Sequence, residues 1–132
     1  MGYDDIQTGS LIDYQFLWKR ESLRGEEEGR KSRPCAVVLR LKNSFSIMPV
    51  TTKRPDSNTI AIAFPEIEAR RLGMAGEIER WVIIEEINTD EIPSYVMEPH
   101  ALIGQLSKGF ARQLVEAFLK NAQRLKVTKR GD

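Results

Sequence analysis

Two short stretches of this chain hold residue types that together can handle a phosphate. The first is Gly29-Arg30-Lys31-Ser32-Arg33-Pro34-Cys35-Ala36-Val37-Val38-Leu39, where three cations crowd against a proline before an apolar run begins. The second is Pro49-Val50-Thr51-Thr52. An arginine presents a rigid fork of donors that matches a phosphate bidentately, and a threonine hydroxyl can add a donor to the same oxyanion. Such a pair stabilises negative charge developing on phosphorus during transfer. Whether the two stretches meet depends on the elements that carry them.

The pattern along the chain reads as strands first and a helix last. Leu11–Trp18 mixes aliphatic and aromatic residues at strand length. Lys19–Ser32 is nearly devoid of apolar residues and reads as a long exposed loop, a class that often carries function. Pro34–Leu41 is a second strand with its proline at the entry, where a missing N–H does least harm. Phe45–Thr51 is a third, whose Pro49 belongs at an edge, a bulge or a barrel rim. Thr59–Phe64, Trp81–Ile87 and a short piece at Leu102–Leu106 complete the strands. Pro65 opens a short helix that Gly73 stops. Ser107 caps a longer one, running to about Val127, with Phe110, Leu114, Phe118, Ala122 and Leu125 along one face. The tail after it is polar and expected to fray.

If Lys42, Asn43 and Ser44 form a three-residue hairpin loop, Leu41 faces Phe45, Cys35 faces Thr51 and Arg33 faces Lys53. Side chains two apart share a face, so Arg33 and Thr51 become diagonal neighbours about 7 to 8 Å apart at the backbone. A slip of one residue puts Thr52 there instead. Either way a guanidinium and a hydroxyl converge. Spacing alone favours the plainer alternative, a solvated cation and a strand-end hydroxyl.

Bulk properties narrow the classes. The 132 residues suit one domain, 1–132, with a core of about 9–127. Net charge is +1, so any polyanion-binding surface is local. One cysteine, Cys35, permits no internal disulfide and points to a reducing, cytoplasmic setting; the side chain reads as a small buried apolar group. A single His100 and a single Cys35 argue against a soft metal site and against a Cys-His dyad. The N-terminal stretch is too acidic for a secretory signal, and no apolar run is long enough to span a bilayer.

The stretch "GRKSRPCAVVL" followed by "IMPVTT" on the next strand resembles the signature of the MazF/PemK/Kid family of toxin endoribonucleases. "TGSLIDYQF" resembles the family's opening strand, with Ser10 where an acidic residue commonly follows the glycine. "WVIIEEINTDEI" resembles the strand that carries a polar pair before a turn, and the capped C-terminal helix fits as well. The likeness runs over roughly residues 9–121, and its most specific element is the Arg-Pro with the Pro-x-Thr.

The resemblance implies a mainly β (α+β) fold: a small SH3-like barrel of bent antiparallel strands with a C-terminal amphipathic helix. It implies a homodimer, neutralised by a cognate antitoxin protein, in which no membrane takes part. It implies cleavage of single-stranded RNA without a metal or other cofactor, the 2′-OH serving as internal nucleophile. By that likeness Arg33 is general acid/base and transition-state stabiliser, and Thr51 holds the scissile phosphate. An arginine is a poor proton donor, since its pKa exceeds about 12, so its electrostatic role is the firmer one. Lys31 would hold a neighbouring phosphate and Thr52 would share the role of Thr51. Glu85 and Glu86 match the polar pair; strand alternation admits at most one of them to the site. Trp18 would stack a base or belong to the core, and Trp81 belongs to the core. Glu26–Glu28 suggest a mobile acidic lid, or simply a solvated run.

The chain also departs from the family. The first loop has no histidine, the late strand reads Val82-Ile83-Ile84 where some branches carry an arginine, and Asn88 stands where a basic residue is frequent. The alternative reading is a non-catalytic barrel of the same class that acts by binding protein, as gyrase-poisoning toxins do, or a degenerate binding module. The gyrase poisons rely on an apolar, aromatic C-terminus, whereas this chain ends "TKRGD".

Overall fold

A computed structural model describes residues 3–25, 31–94, 97 and 101–130. The Glu26–Glu28 run and His100 lie outside the described residues. The fold is mainly antiparallel β-sheet with helices. Its elements are β1 (Ser10–Tyr14), α1 (Lys19–Leu23), β2 (Arg33–Arg40), β3 (Ser44–Thr51), β4 (Ala61–Ala63), α2 (Glu66–Arg71), β5 (Trp81–Ile83), β6 (Glu86–Glu91), β7 (Leu102–Gln105), α3 (Lys108–Lys120) and β8 (Lys126–Lys129). The strands run in the order β4-β5-β3-β2-β1-β7, with β6 also on β3 and β8 parallel to β6. Among the described residues no helix is long and apolar enough to cross a membrane.

Alternation along β2 and β3 gives the sheet two apolar faces. Cys35, Val37, Phe45 and Ile47 meet Ile12, Tyr14 and Phe16 on one side. Ala36, Val38, Met48 and Val50 meet Val82, Ile84 and the helix residues Phe110 and Leu114 on the other. Fully burying a side chain such as Leu114 contributes about 2 kcal/mol. Helix α3 starts where Ser107 Oγ accepts the Phe110 N–H at 3.2 Å. Gly9, at φ +94°, lies close beneath α3, where an added Cβ would stand 3.3 Å from that of Ala111.

Strand β3 serves two partners on one side. It pairs with β6 through Ser44 to Ile47 and with β5 through Val50 and Thr51. Pro49 falls in the gap between them, at a strand junction.

Four sequence expectations change. Trp81–Ile87 is not one strand: the chain bends at Ile84 and Glu85, separating β5 from β6. Lys19–Ser32 does not begin as a loop but as α1, whose Glu21 turns inward and accepts the Trp18 N–H at 3.0 Å. The terminal helix ends at Lys120 rather than near Val127. The tail does not fray: it forms β8, anchored by the Lys126 N–H on the Glu85 carbonyl and the Arg130 N–H on the Thr89 carbonyl. The physical reason is that β6 has an open edge there, and a strand laid on it satisfies backbone groups that helix continuation would leave to solvent.

Candidate functional site

The site is built where β2 begins and β3 ends. The turn between them is tighter than a three-residue loop, because Arg40 faces Phe45 and the Leu41 N–H donates to the Ser44 carbonyl. A bulge then inserts one extra residue on β2 at Val38, so that Cys35 faces Pro49. Carried two residues on, this pairing sets Arg33 directly opposite Thr51, not diagonally as expected. Each change shifts the register by one, and together they shift it by two. The face is therefore preserved, and Arg33 and Thr51 still emerge on the same side.

They open into a cleft of about 480 Å³. All six residues singled out from sequence line it: Trp18, Lys31, Arg33, Thr51, Thr52 and Glu85. Arg33 is half-buried, and its Nε is buried with no hydrogen-bond partner among the described residues. The Thr51 hydroxyl oxygen accepts the Lys53 N–H at 3.1 Å, which leaves its own proton to donate. Lys31 and Thr52 are exposed at the mouth.

Trp18 is neither simply core nor an open stacking platform. It packs edge-on against Phe16, with ring centroids 5.3 Å apart, and two guanidinium groups lie over its indole, Arg20 at 5.2 Å and Arg33 at 5.3 Å. Such contacts contribute about 0.5 to 2 kcal/mol. Trp81 is half-buried rather than in the core, with Arg54 over its ring at 5.6 Å.

Both carboxylates of the polar pair line the cleft, against the expectation of at most one. Alternation fails because the bend at Ile84 and Glu85 resets the facing of β6. Their roles separate by their partners. Glu85 accepts the Ile60 N–H at 2.7 Å with one oxygen and faces Lys126 Nζ at 3.5 Å with the other. Glu86 accepts the Lys19 N–H at 3.0 Å through Oε1, and Oε2 has no hydrogen-bond partner among the described residues. Burial raises the Glu86 carboxyl above its ordinary pKa, against the pull of the Lys19 N–H, Lys126 and Arg20. Cys35 is fully buried and its thiol pKa is pushed up by desolvation, so it is no nucleophile.

Sequence reasoning missed Arg20, Arg54 and Lys126 and gave Lys53, placed beside Arg33, no role; all four line the cleft. Lys53 and Arg54 directly follow the two threonines, and that adjacency was a usable signal. Lys126 had none, since its strand was not foreseen. Six cations and three carboxylates, Asp56 with the two glutamates, give the cleft an excess of positive charge in a chain whose net charge is only +1. Asn88 is fully buried. It holds the Leu17 N–H and carbonyl at 2.9 and 2.7 Å, so it organises the fold behind the site.

The arrangement can seat a phosphodiester: a forked donor, a hydroxyl and flanking cations receive the anion, and a carboxyl stands by to move a proton. No protein-family model matches the chain, and no curated protein matches it in sequence.

Proposed function

We propose that this chain is a metal-independent endoribonuclease of the MazF/PemK/Kid type, the toxin of a toxin–antitoxin pair, cleaving single-stranded RNA. The observation that carries this reading is the placement of Arg33 opposite Thr51 at a cation-lined cleft, with the Arg33 Nε unpartnered. Arg33 lines the cleft half-exposed, held over the Trp18 ring, and a guanidinium so placed can receive a phosphate oxygen.

In this mechanism the substrate supplies the nucleophile. The 2′-oxygen bonds to phosphorus as its proton leaves, the bond from phosphorus to the 5′-oxygen breaks, and that oxygen takes up a proton. The products are a 2′,3′-cyclic phosphate and a 5′-hydroxyl. Arg33 and the Thr51 hydroxyl neutralise charge on the non-bridging oxygens. Glu86, its carboxyl raised by burial and one oxygen unclaimed, is the group suited to accept the 2′-proton. Lys31 and Thr52 hold the approaching strand at the mouth. Trp18 orients Arg33 instead of stacking a base, and Glu85 positions Lys126. The reading includes an SH3-like barrel, supported by the way β3 grips β2 on one side and both β5 and β6 on the other. It also includes a homodimer and a cognate antitoxin, which rest on the sequence resemblance.

The test is cleavage of a long single-stranded RNA in EDTA by the wild-type chain, Arg33→Ala and Thr51→Ala. Cleavage by the wild type that both substitutions abolish supports the proposal. A folded wild type that cleaves no RNA favours the protein-binding alternative, and cleavage lost in EDTA overturns the metal-free mechanism.

A further inference from the structure

The strand β8 takes no part in the proton and phosphoryl steps above, yet it forms one wall of the same cleft through Lys126. Its backbone is held tightly. The Lys126 N–H donates to the Glu85 carbonyl at 2.6 Å, and the Val127 carbonyl accepts Lys19 Nζ at 2.9 Å. Three residues on, the Arg130 N–H donates to the Thr89 carbonyl at 2.7 Å. The Arg130 guanidinium, itself buried, donates to the Gln15 carbonyl at 2.8 Å and to Asn88 Oδ1 at 3.0 Å. The strand is thus fixed, and the ammonium it carries is delivered to the cleft wall in advance.

The side-chain contact is loose by contrast. Lys126 Nζ lies 3.5 Å from Glu85 Oε2, and the lysine side chain is 55% exposed. An ion pair of that kind contributes little to stability. Glu85 already has a backbone N–H on its other oxygen and does not depend on Lys126 for a partner. A rigid support for a weakly engaged cation, in a cleft already rich in cations, is the arrangement of a binding group kept in reserve.

We infer that Lys126 on β8 is a second phosphate-binding group of the RNA cleft, exchanging Glu85 for a backbone phosphate next to the scissile one. The inference rests on the endoribonuclease reading and deepens it: the footprint spans more than one phosphate and includes the C-terminal strand. Glu85 is then a positioning residue that holds Lys126 in place while the cleft is empty.

The experiment uses the full chain and a 2′-O-methyl RNA oligonucleotide, which binds without being cleaved. Affinity is measured against salt concentration for wild type, Lys126→Gln, Lys126→Arg and Lys129→Gln. One lost phosphate contact on a single strand lowers the slope of log K against log salt by about 0.7. The expected result is that reduction in Lys126→Gln, with weaker binding at low salt, and wild-type slopes for Lys126→Arg and for Lys129→Gln, which lies outside the cleft. A wild-type slope and affinity in Lys126→Gln overturns the inference, as does a loss of affinity that is equal at all salt concentrations. A wild type that neither binds this oligonucleotide nor cleaves RNA overturns the endoribonuclease reading itself, which separates the two failures.

Discussion

Two arginines near Tyr14 show how differently one residue type is used. Arg130 is buried in a polar seam, donating to the Gln15 carbonyl and Asn88 and lying over the Tyr14 ring at 5.4 Å. Beside it Asp90 accepts the Tyr14 and Ser94 hydroxyls, both at 2.7 Å. Arg33 is half-buried with an unpartnered Nε, and its guanidinium is held over an indole instead of being matched by a carboxylate. The seam uses its charge to close the fold. The cleft keeps its charge at an open surface. Even the seam has one lapse: among the described residues Thr128 Oγ1 is buried without a partner, and Thr128 does not line the cleft. An unpartnered atom points to binding only where a cleft and complementary charge surround it.

The comparison can be broken by substitution. The largest effect is expected from Arg130→Ala, which strands the Gln15 carbonyl and Asn88 and leaves a cavity. Urea denaturation should show a loss of about 3 kcal/mol. A loss below about 1 kcal/mol would remove the distinction between the two arginines. Arg33→Ala should do the opposite, leaving stability within about 1 kcal/mol of wild type while RNA cleavage falls about 10² to 10³-fold. Thr51→Val keeps the shape and removes the donor, so cleavage should fall by about tenfold with the urea midpoint nearly unchanged. An unaffected rate would remove the hydroxyl from the mechanism. Thr128→Val should stabilise the chain by about 1 kcal/mol, because it replaces an unsatisfied hydroxyl with a methyl of similar size.

The smallest effect concerns pH. Glu86 binds its proton more tightly folded than unfolded, because burial raises its carboxyl pKa. Its contribution to stability is therefore fully present below the ordinary carboxylate pKa and is lost as pH rises through the raised one. Glu86→Gln should be slightly more stable than wild type near neutrality, with the advantage gone in acid. An advantage that grew in acid would reverse the assignment.

Much of the site was legible because it depends on parity. The tighter turn and the Val38 bulge were invisible in the residue pattern, yet their two single shifts cancel as far as facing is concerned. The helix start at Ser107 was legible because a cap is a local hydrogen bond. Strand β8 was not, because its burial runs against its hydropathy: Val127 is 45% exposed while Thr128 is 3% exposed. What holds β8 is backbone pairing with β6 and the distant Arg130 contacts, and no four-residue window can report those. The facing of Glu85 and Glu86 was misread for a related reason, since alternation holds only within an unbroken strand.

Pro49 carries a consequence of its own. On β3 the Ser44 carbonyl takes the Leu41 N–H from the β2 side, whereas the Asn43 carbonyl takes the Ile92 N–H from the other. Odd-numbered positions thus turn their backbone groups toward β6 and β5. Position 49 faces the interval where β6 has ended and β5 has not begun. A residue other than proline would bring a buried N–H to a point where neither β6 nor β5 pairs with β3, and proline brings none. The strand that delivers Thr51 can change neighbours in mid-course because, at the point of change, it carries no backbone N–H to leave unpaired.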